Sequence, residues 1–403
     1  MGRGFSISEK DRGESRSAAR KPQLEDVLTA NAVDLLPAGR LQEQLKTGKP
    51  LRIKLGIDPT APDIHLGHAV VLGKLADFQS AGHTVVLIIG DFTARVGDPS
   101  GRSSQRPVLS EQEIKANAQT FTEQAFKILD PDKTEVRFNS EWLEMDTSQM
   151  LALLSSTTVS QLLERKDFQN RWQAGQPISM LEMIYPLLQG YDSVAVNADV
   201  EVGGTDQKFN LLLAREIQAE HGMNSQSILT MPVLPGTDGQ QKMSKALKNY
   251  IAVSDSAEEI FGKTMSIPDH VMSEYYRLLL GEVEPDIAPN LAKRQLAAAL
   301  TTRFHDQASA QAAEAAFDRL HVDKLPPKDI SEVSINSGRI HLPELLSEQF
   351  GFSKGEARRR IKQGGVKVNG QKVSADTLDV DTKLLEDSIL QAGKRQFVQV
   401  RVR

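Results

Sequence analysis

The 403-residue sequence contains no cysteine, which excludes a disulfide framework, a thiolate nucleophile and a zinc site built from cysteines. It also has no apolar run that approaches the roughly 20 residues of a transmembrane helix. The segment Met1–Lys21 is polar and mixed in charge, and it lacks the hydrophobic stretch of a secretory signal. We therefore expect a cytoplasmic protein without membrane contact, and we expect residues 1–22 to form a mobile tail.

The chain has little excess charge, with a formal net charge of −5. This charge argues against a protein that coats nucleic acid over its whole surface. Between residues 353 and 372, however, seven basic residues stand against the single acid Glu356, which gives a local charge of +6. This basic island predicts one localised contact with a polyanion, although a solvated helix face would have the same composition. The seven residues are Lys354, Arg358, Arg359, Arg360, Lys362, Lys367 and Lys372.

The hydrophobic pattern of the first half predicts an α/β fold. Leu51–Ile57 has the pattern of a buried strand, residues 64–82 that of a helix, and Thr84–Ile89 that of a second buried strand. A strand, a helix and a strand in succession form a βαβ unit, which implies a parallel sheet. Later candidate strands lie at Val194–Val202 and Ser227–Leu234. Ligands of such sheets bind at the carboxyl ends of the strands, where we expect Asp58, His65 and Asp98 to meet.

The character of the chain changes after Asp255, where an alanine-rich helical stretch begins and continues to the pair Pro326-Pro327. Beyond it, Ser353 and Glu356 predict a capping box before a basic helix, and Asn369-Gly370 predicts a hairpin. We expect the following division: a tail at 1–22, an α/β domain at 23–255, a helical domain at 256–328, a linker at 329–338 and a small α+β domain at 339–403.

Two short segments, His65-Leu66-Gly67-His68 and Lys242-Met243-Ser244-Lys245, carry the clearest chemical signal. The two histidines share one face of a first helical turn, where backbone N–H groups favour phosphate and imidazoles can donate to phosphate oxygens. Gly67 allows a flat base to approach the backbone. A metal site would need further ligands, and without the second segment two histidines that cap a core helix would be an equal alternative.

The lysine segment lies in a polar loop, and two flexible ammonium groups there can close over a pyrophosphate leaving group. It is not a Walker loop, and a lysine pair alone is usually surface decoration. Together, the two segments predict one ATP site at which the α-phosphate is attacked and pyrophosphate leaves.

The sequence resembles the class I aminoacyl-tRNA synthetases, whose signatures are the HIGH and KMSKS motifs, and most closely the bacterial tyrosyl-tRNA synthetases. The resemblance runs from about Gln23 to the C-terminus and implies a Rossmann-like parallel-sheet catalytic domain, a helical anticodon-binding domain and a small RNA-binding domain of a ribosomal-protein type. Its segments are Gly56–His68, Gly97–Gly101, Tyr185–Asp192 and Gly203–Gln207.

The resemblance also implies roles for individual residues. The substrate ammonium group would be held by Asp98, Tyr185 and Gln189, the phenol by Asp192, and the carboxylate by Gln207. The ATP-binding residues would be Asp58, Thr60, Gly67, Asp206 and Lys245. The catalytic residues would be His65, His68, Lys242 and Lys245, together with Arg102 and Arg106 of a mobile loop. The RNA-binding residues would be Lys354, Arg358, Arg359, Arg360 and Lys362.

The implied activity is ATP-dependent activation of L-tyrosine to tyrosyl-adenylate, followed by transfer to the 3′ end of tRNA(Tyr). The substrate carboxylate is already a nucleophile, so this reaction needs positioning and positive charge rather than a general base. Mg²⁺ would accompany ATP without a tightly bound metal held by the protein. The family further implies a homodimer that forms through the catalytic domain.

Three positions depart from the family pattern. Lys54 stands where one branch has a tyrosine that touches the substrate hydroxyl, and such a lysine would pair with an acid instead. Ala246 replaces the last serine of the lysine signature, and Asp91, which stands where another branch has glycine, has no assigned role. The competing interpretations are a tryptophanyl-tRNA synthetase and an inactive synthetase-like protein that binds structured RNA.

Overall fold

A computed structural model describes residues 24–60, 62–100, 110–326, 330–393 and 396–403. The chain forms two compact units. The first contains the described chain up to Gly236, with Gln240–Val253 and Arg277–Gly281, and the second contains Thr237–Gly239, Ser254–Tyr276 and the chain from Glu282 onward. The predicted tail at 1–22 lies outside the described residues. No helix in the described ranges is both long enough and apolar enough to cross a bilayer.

The described part of the first unit is built on a six-stranded sheet with the order β1-β6-β5-β2-β3-β4. Its strands are β1 (Asp34–Leu36), β2 (Arg52–Ile57), β3 (Thr84–Ile89), β4 (Thr134–Phe138), β5 (Val200–Gly204) and β6 (Ser227–Met231). The strands from β6 to β4 are parallel, and β1 joins β6 in antiparallel orientation. The predicted α/β fold with a parallel sheet is therefore confirmed.

Helices connect and cover these strands. They are α1 (Leu24–Thr29), α2 (Arg40–Lys46), α3 (Leu66–Ser80), α4 (Thr93–Val96), α5 (Glu111–Ala125), α6 (Ser140–Leu143), α7 (Thr147–Leu154), α8 (Val159–Leu162), α9 (Lys166–Gln173), α10 (Met180–Ala195) and α11 (Lys208–Glu220). The crossover helix α3 buries one apolar face, including Leu72, Leu75 and Phe78, against the sheet side of the unit.

The candidate strand Val194–Val202 was only partly correct. Its first two residues end α10, and the strand begins at Val200. Asn197 has a φ of 51°, in the left-handed region that commonly follows the end of a helix, so the chain turns there before it enters the sheet. A short apolar run does not separate the last turn of a buried helix from a buried strand.

Helices α10 and α11 pack closely, and the contact depends on Gly190. A Cβ atom at this position would lie 2.5 Å from Ile217 Cδ1 and 3.3 Å from the Ala214 Cα. The close approach fixes the turn of α10 that carries Gln189 and Asp192, and this turn faces the sheet.

The second unit begins with the helices α12 (Ala257–Met265), α13 (Met272–Tyr275), α14 (Pro289–Phe304) and α15 (Gln307–His321). Its C-terminal part contains α16 (Leu342–Phe350), α17 (Lys354–Lys362), β7 (Glu332–Ile335), β8 (Arg339–His341), β9 (Val366–Val368), β10 (Gln371–Lys372), β11 (Asp379–Asp381), β12 (Ile389–Ala392) and β13 (Gln396–Val402). In the described residues, the five strands β10-β9-β12-β13-β7 form one sheet, and β8 pairs with β11.

Two local predictions in this part need correction. The expected linker at 329–338 contains β7, which pairs in parallel with β13, so residues 332–335 belong to the sheet. At the start of α17, Ser353 accepts a hydrogen bond from the Glu356 N–H, but the Glu356 carboxylate contacts Arg359 and Arg360 instead of completing the capping box. The predicted hairpin at Asn369-Gly370 is confirmed, since it joins β9 to β10.

Candidate active site

A cavity of about 290 Å³ opens at the carboxyl ends of β2, β3 and β5. The structure brings most of the predicted site residues of the first unit to its lining: Asp58, Thr60, His65, Gly67, His68, Asp98, Tyr185, Gln189, Asp192, Asp206, Gln207 and Lys242. Lys245 lies nearby, beside Asp63. Arg102 and Arg106 lie outside the described residues.

His65 and His68 stand at the N-terminus of α3, with their rings stacked at a centroid distance of 3.8 Å. The backbone N–H of His65 donates to His68 Nδ1 at 3.2 Å, so the neutral His68 ring carries its proton on Nε2. Burial lowers the pKa of His68 to about 4, with a further contribution from Lys245. Burial also lowers the pKa of His65 well below its ordinary value, and the proximity of the His68 ring and of the Lys245 ammonium group acts in the same direction. Both rings are therefore neutral at pH 7 and can each donate one N–H.

Gly67 leaves the space between the histidines and the lysine loop open. A Cβ atom here would lie 3.0 Å from both Cε1 and Nδ1 of His65, and 3.7 Å from Met243 Cβ. A side chain here would press against the His65 ring, so glycine leaves this ring in its observed position.

The two signature lysines differ in their surroundings. Lys242 Nζ pairs with Asp206 Oδ2 at 3.1 Å and is half exposed. Lys245 Nζ lies 3.6 Å from Asp63 Oδ2, and among the described residues its ammonium group has no hydrogen-bond partner. Burial lowers the pKa of Lys245, while Asp63 opposes the shift. Lys245 thus presents a cation with unused donors next to the cavity.

Asn249 organises this lysine loop, and sequence reasoning missed it. Its Oδ1 accepts from the Ser244 N–H at 2.8 Å, and its Nδ2 donates to the Lys242 carbonyl at 3.1 Å. Gly236 makes room for it, since a Cβ there would lie 2.2 Å from Asn249 Nδ2. The loop therefore has internal support, although Ala246 replaces the serine of the family signature.

Asp58 is held by two hydroxyl groups at the edge of the sheet. Tyr185 donates to Asp58 Oδ2 at 3.0 Å, and Thr93 donates to Asp58 Oδ1 at 2.7 Å. Burial raises the pKa of Tyr185 well above its ordinary value, and the Asp58 charge adds to this effect. The Tyr185 hydroxyl therefore stays protonated and can both donate to Asp58 and accept from a ligand.

A chain of amide groups links the residues that the family assigns to the amino acid. Gln207 Nε2 donates to Asp98 Oδ2 at 2.9 Å. Asn210 Nδ2 donates to the side-chain oxygens of Gln189, at 2.8 Å, and Gln207, at 3.0 Å. Arg165 donates to Asn210 Oδ1 at 2.6 Å, which fixes the direction of the chain because a guanidinium group can only donate. The sequence could have indicated Asn210 as a site residue, because it follows Gln207 by three residues and such residues are neighbours on a helix. Nothing in the sequence indicated Arg165.

Asp192 is buried in the lining, with only 3% of its surface exposed. Trp142 Nε1 donates to its Oδ1 at 2.8 Å, and Asn139 Nδ2 lies 3.5 Å from its Oδ2. Burial raises the pKa of Asp192 to about 7, although Lys54, Trp142 and Asn139 oppose the shift. This carboxylate therefore changes charge close to neutral pH and has remaining acceptor capacity toward the cavity.

The structure accounts for two of the three departures from the family pattern. Lys54 forms the predicted pair with an acid, since its Nζ lies 2.7 Å from Glu201 Oε1. Asp91 accepts from both the backbone N–H and the hydroxyl of Ser140, at 2.9 and 2.6 Å. It thereby anchors the first residue of α6, the helix that carries Trp142.

The predicted RNA-binding residues lie on or beside one helix of the second unit, α17: Lys354, Arg358, Arg359, Arg360 and Lys362. Glu356 pairs with Arg359 and Arg360. On this helix, Arg358 contacts His341, and neither Arg358 nor Lys362 makes an ion pair within the described ranges, so both charges are available to an anionic partner.

The family described as tRNA synthetases class I (W and Y) matches residues 46–322, and the S4 domain matches residues 342–378. A tyrosine–tRNA ligase of Bdellovibrio bacteriovorus is 48% identical over 379 residues, which are 90% of this chain and 94% of the relative. That of Moorella thermoacetica is 46% identical over 392 residues, which are 93% and 94% of the two chains.

Solved structures give the same result. The tyrosyl-tRNA synthetase of Archaeoglobus fulgidus, solved with L-tyrosine, is 25% identical with a TM-score of 0.59, across 72% of this chain and 98% of the other. A C-terminally truncated mitochondrial tyrosyl-tRNA synthetase of Aspergillus nidulans supports the fold, at 22% identity and a TM-score of 0.60 across 74% and 92%. The family description leaves a tryptophanyl enzyme open, but the relatives above are tyrosine ligases. The chain therefore belongs to the tyrosyl-tRNA synthetases, within the class I aminoacyl-tRNA synthetases.

Proposed function

We propose that this cavity activates L-tyrosine with ATP to form tyrosyl-adenylate and pyrophosphate, and that the tyrosyl group then passes to the 3′ end of tRNA(Tyr). The observation that carries the proposal is the shared lining of one cavity. It contains a buried acceptor suited to a phenol, Asp192, and donors suited to phosphate, His65, His68 and Lys242.

The amino acid would bind between α10 and the ends of β2 and β5. Asp98, Tyr185 and Gln189 would accept from the ammonium group, Gln207 would contact the carboxylate, and Asp192 would accept from the phenol. The amide chain described above supports these roles because it holds the two glutamine side chains in one orientation. Preorganised acceptors of this kind lose little free energy to reorganisation when the substrate binds.

ATP would lie along the N-terminus of α3, near Asp58, Thr60, Gly67 and Asp206. The tyrosine carboxylate attacks the α-phosphorus, a carboxylate O–P bond forms, and the bond between the α- and β-phosphates breaks. The neutral rings of His65 and His68 donate to phosphate oxygens without any change in protonation. Lys245 has unused donors and, with Lys242, would hold the leaving pyrophosphate as its charge develops.

Mg²⁺ would enter with ATP on the phosphate oxygens, where it supplies charge neutralisation. The lining fits an ion held mainly by the nucleotide, since Asp58 is engaged by Tyr185 and Thr93, and Asp206 by Lys242. In the described ranges, no group of three or more histidine, aspartate or glutamate side chains could hold a metal ion.

We also propose that tRNA is bound by the second unit, with residues 256–328 at the anticodon and residues 339–403 at another part of the tRNA. The basic face of α17 supports the second contact. Its phosphate contacts would make the affinity for tRNA fall as salt rises.

A homodimer would form through the first unit, where the consecutive helices α7–α10 expose large apolar side chains. Trp172 is 67% exposed and Met180 is 72% exposed, and a second copy of the chain would cover them. Trp172→Glu should therefore yield a monomer in light scattering. Val283→Glu is the matched control, since Val283 is 90% exposed in the second unit. A dimer that persists in Trp172→Glu would place the interface elsewhere.

The activity is tested by ATP–pyrophosphate exchange in the presence of tyrosine, tryptophan or phenylalanine. We expect exchange that depends on tyrosine and is far weaker with the other two. Faster exchange with tryptophan, or no exchange with any of the three, would overturn the proposal.

A further inference from the structure

A buried ion pair lies next to the proposed phenol site, with Glu201 in the lining of the cavity, and no step of the proposed reaction uses it. Lys54 is fully buried in β2, and its Nζ lies 2.7 Å from Oε1 of the buried Glu201 in β5. Lys54 and Glu201 are opposite each other in the register of the two parallel strands. A buried pair of charges is expensive to desolvate and is seldom the most stable choice for a core, so its presence calls for a specific reason.

The ammonium group of Lys54 also holds one turn of α10. It donates to the backbone carbonyl of Gln189 and to the hydroxyl of Ser193, both at 3.0 Å. The Ser193 hydroxyl donates to Glu201 Oε2 at 3.2 Å. These bonds enclose Asp192 between two residues whose positions the ion pair fixes.

The ion pair also lies close to the Asp192 carboxylate itself. Gly56 follows Lys54 by two residues and shares its face of β2. A Cβ atom at Gly56 would lie 4.0 Å from Asp192 Oδ2 and 4.0 Å from Lys54 Cε. Lys54 and Asp192 therefore flank the same small space at Gly56, a residue of the cavity lining.

We propose that Lys54 and Glu201 form a positioning pair for tyrosine selection: they hold the Gln189–Ser193 turn and balance the charge behind Asp192, so that Asp192 meets the substrate phenol as an ionised acceptor. This inference rests on the proposed role of Asp192 and goes beyond it. It also accounts for recognition of the phenol in this chain, where Lys54 replaces the tyrosine of one branch, because the recognition depends on one carboxylate and its electrostatic support.

The two members of the pair act on Asp192 in opposite directions. Lys54 lowers the pKa of Asp192, and Glu201 raises it. Among the residues that the structure describes, Tyr185 of α10 also interacts with Asp192, with Asp58 beyond it, while Trp142 and Asn139 contribute neutral donors. Removal of Lys54 alone would leave Glu201 as an uncompensated negative charge, whereas removal of both charges would restore the balance.

The test measures kcat and KM for tyrosine and phenylalanine in ATP–pyrophosphate exchange across pH, with three variants: Lys54→Met, Glu201→Gln and the double variant. In Lys54→Met, kcat/KM for tyrosine at pH 7 should fall by about tenfold or more. The acid limb of the plot of kcat/KM against pH, where protonation of Asp192 lowers activity, should move to higher pH. In Glu201→Gln, the acid limb should move to lower pH. The double variant should return the acid limb close to its original pH and recover part of the lost kcat/KM and of the preference for tyrosine, because the charge balance is restored but the Lys54 bonds to Gln189 and Ser193 are not.

Lys74→Met is the matched control, since Lys74 is a buried lysine of the same unit that donates to Val27 O and Asp77 and does not line the cavity. Its acid limb and tyrosine preference should match those of the unchanged protein. If Lys54→Met does not fold, Glu201→Gln and the double variant still decide the question through the direction of the acid limb.

The inference would be overturned if the acid limb stayed in place in both Lys54→Met and Glu201→Gln. If Lys54→Met does not fold, an unmoved acid limb in Glu201→Gln would overturn it. A double variant that is no better than Lys54→Met would also overturn it. Asp192→Asn, measured in parallel, separates this failure from failure of the proposed site. If Asp192→Asn loses tyrosine preference but the pair variants do not, only the positioning role is wrong. If Asp192→Asn keeps the preference, the phenol site itself is wrong.

Discussion

Replacement of Asp192 by asparagine tests how tyrosine is distinguished from phenylalanine. Asparagine keeps the shape of the side chain and an oxygen that can accept from Trp142, but it removes the negative charge that the phenol would meet. A hydrogen bond to a charged group contributes roughly 1.5–3 kcal/mol, which corresponds to a factor of about 10–150 in kcat/KM. We expect kcat/KM for tyrosine to fall by about this factor.

Phenylalanine should respond differently to the same change. In the unchanged protein, a bound phenylalanine would leave the Asp192 carboxylate desolvated without a partner from the ligand, and this penalty is smaller for a neutral amide. The kcat/KM for phenylalanine should therefore stay constant or rise, so that the preference for tyrosine falls by at least the factor lost on tyrosine. The assay is ATP–pyrophosphate exchange with each amino acid in turn. A variant that retains the original ratio would refute the assignment of Asp192 to the phenol.

Four further predictions concern pH, the lysine loop and RNA. The pKa of Asp192 is about 7 in the folded protein, compared with its ordinary value of 3.8 in the unfolded chain. The contribution of Asp192 to the free energy of unfolding therefore becomes less favourable as pH rises from about 4 to 7. Thermal unfolding of Asp192→Asn should thus show a stability gain that grows from pH 4 to 7 and then levels off, with no such trend if Asp192 ionises normally. Lys245→Ala should lower kcat for activation by about two orders of magnitude with little change in tyrosine affinity, since the charge acts on the leaving group; normal kcat with weaker tyrosine binding would contradict this role. Asn249→Ala should lower kcat by roughly tenfold, because it removes the bonds from the Asn249 side chain to Ser244 and Lys242, and an unchanged kcat would show that the loop needs no such support. Arg358→Ala and Lys362→Ala should leave activation of tyrosine intact. Each should reduce the slope of the logarithm of tRNA affinity against the logarithm of salt concentration by about one, the value for one lost phosphate contact, and an unchanged slope would place the RNA elsewhere.

The sequence predicted the parts of the fold that local patterns determine. Thr84–Ile89 has the bounds of β3, because an apolar run between a glycine-ended helix and Gly90-Asp91 permits little else. The strand β7 was missed inside the expected linker. It has four residues that alternate in polarity, and its pairing with β13 joins segments more than 60 residues apart, which no local pattern reveals.

In the site, too, local patterns were predictable and contacts between distant segments were not. The two signature segments and the α10 residues were found because their spacing is characteristic of the family. Arg165 and Trp142 were not found, because each supports the site through contacts with residues distant in sequence: Arg165 contacts Asn210 and Ser100, and Trp142 contacts Asp192. A side chain that supports another from a distant helix leaves no periodic signal in the chain.

The central claim is that one cavity binds tyrosine with its phenol at Asp192 and its reacting end toward the histidines and the lysine loop. A crystal structure of the protein with a non-hydrolysable analogue of tyrosyl-adenylate tests it directly. We predict a phenol oxygen within roughly 2.5–3.0 Å of an Asp192 carboxylate oxygen, with the ammonium group beside Asp98 and Gln189. A phenol that points away from Asp192, or an analogue bound outside this cavity, would contradict the account.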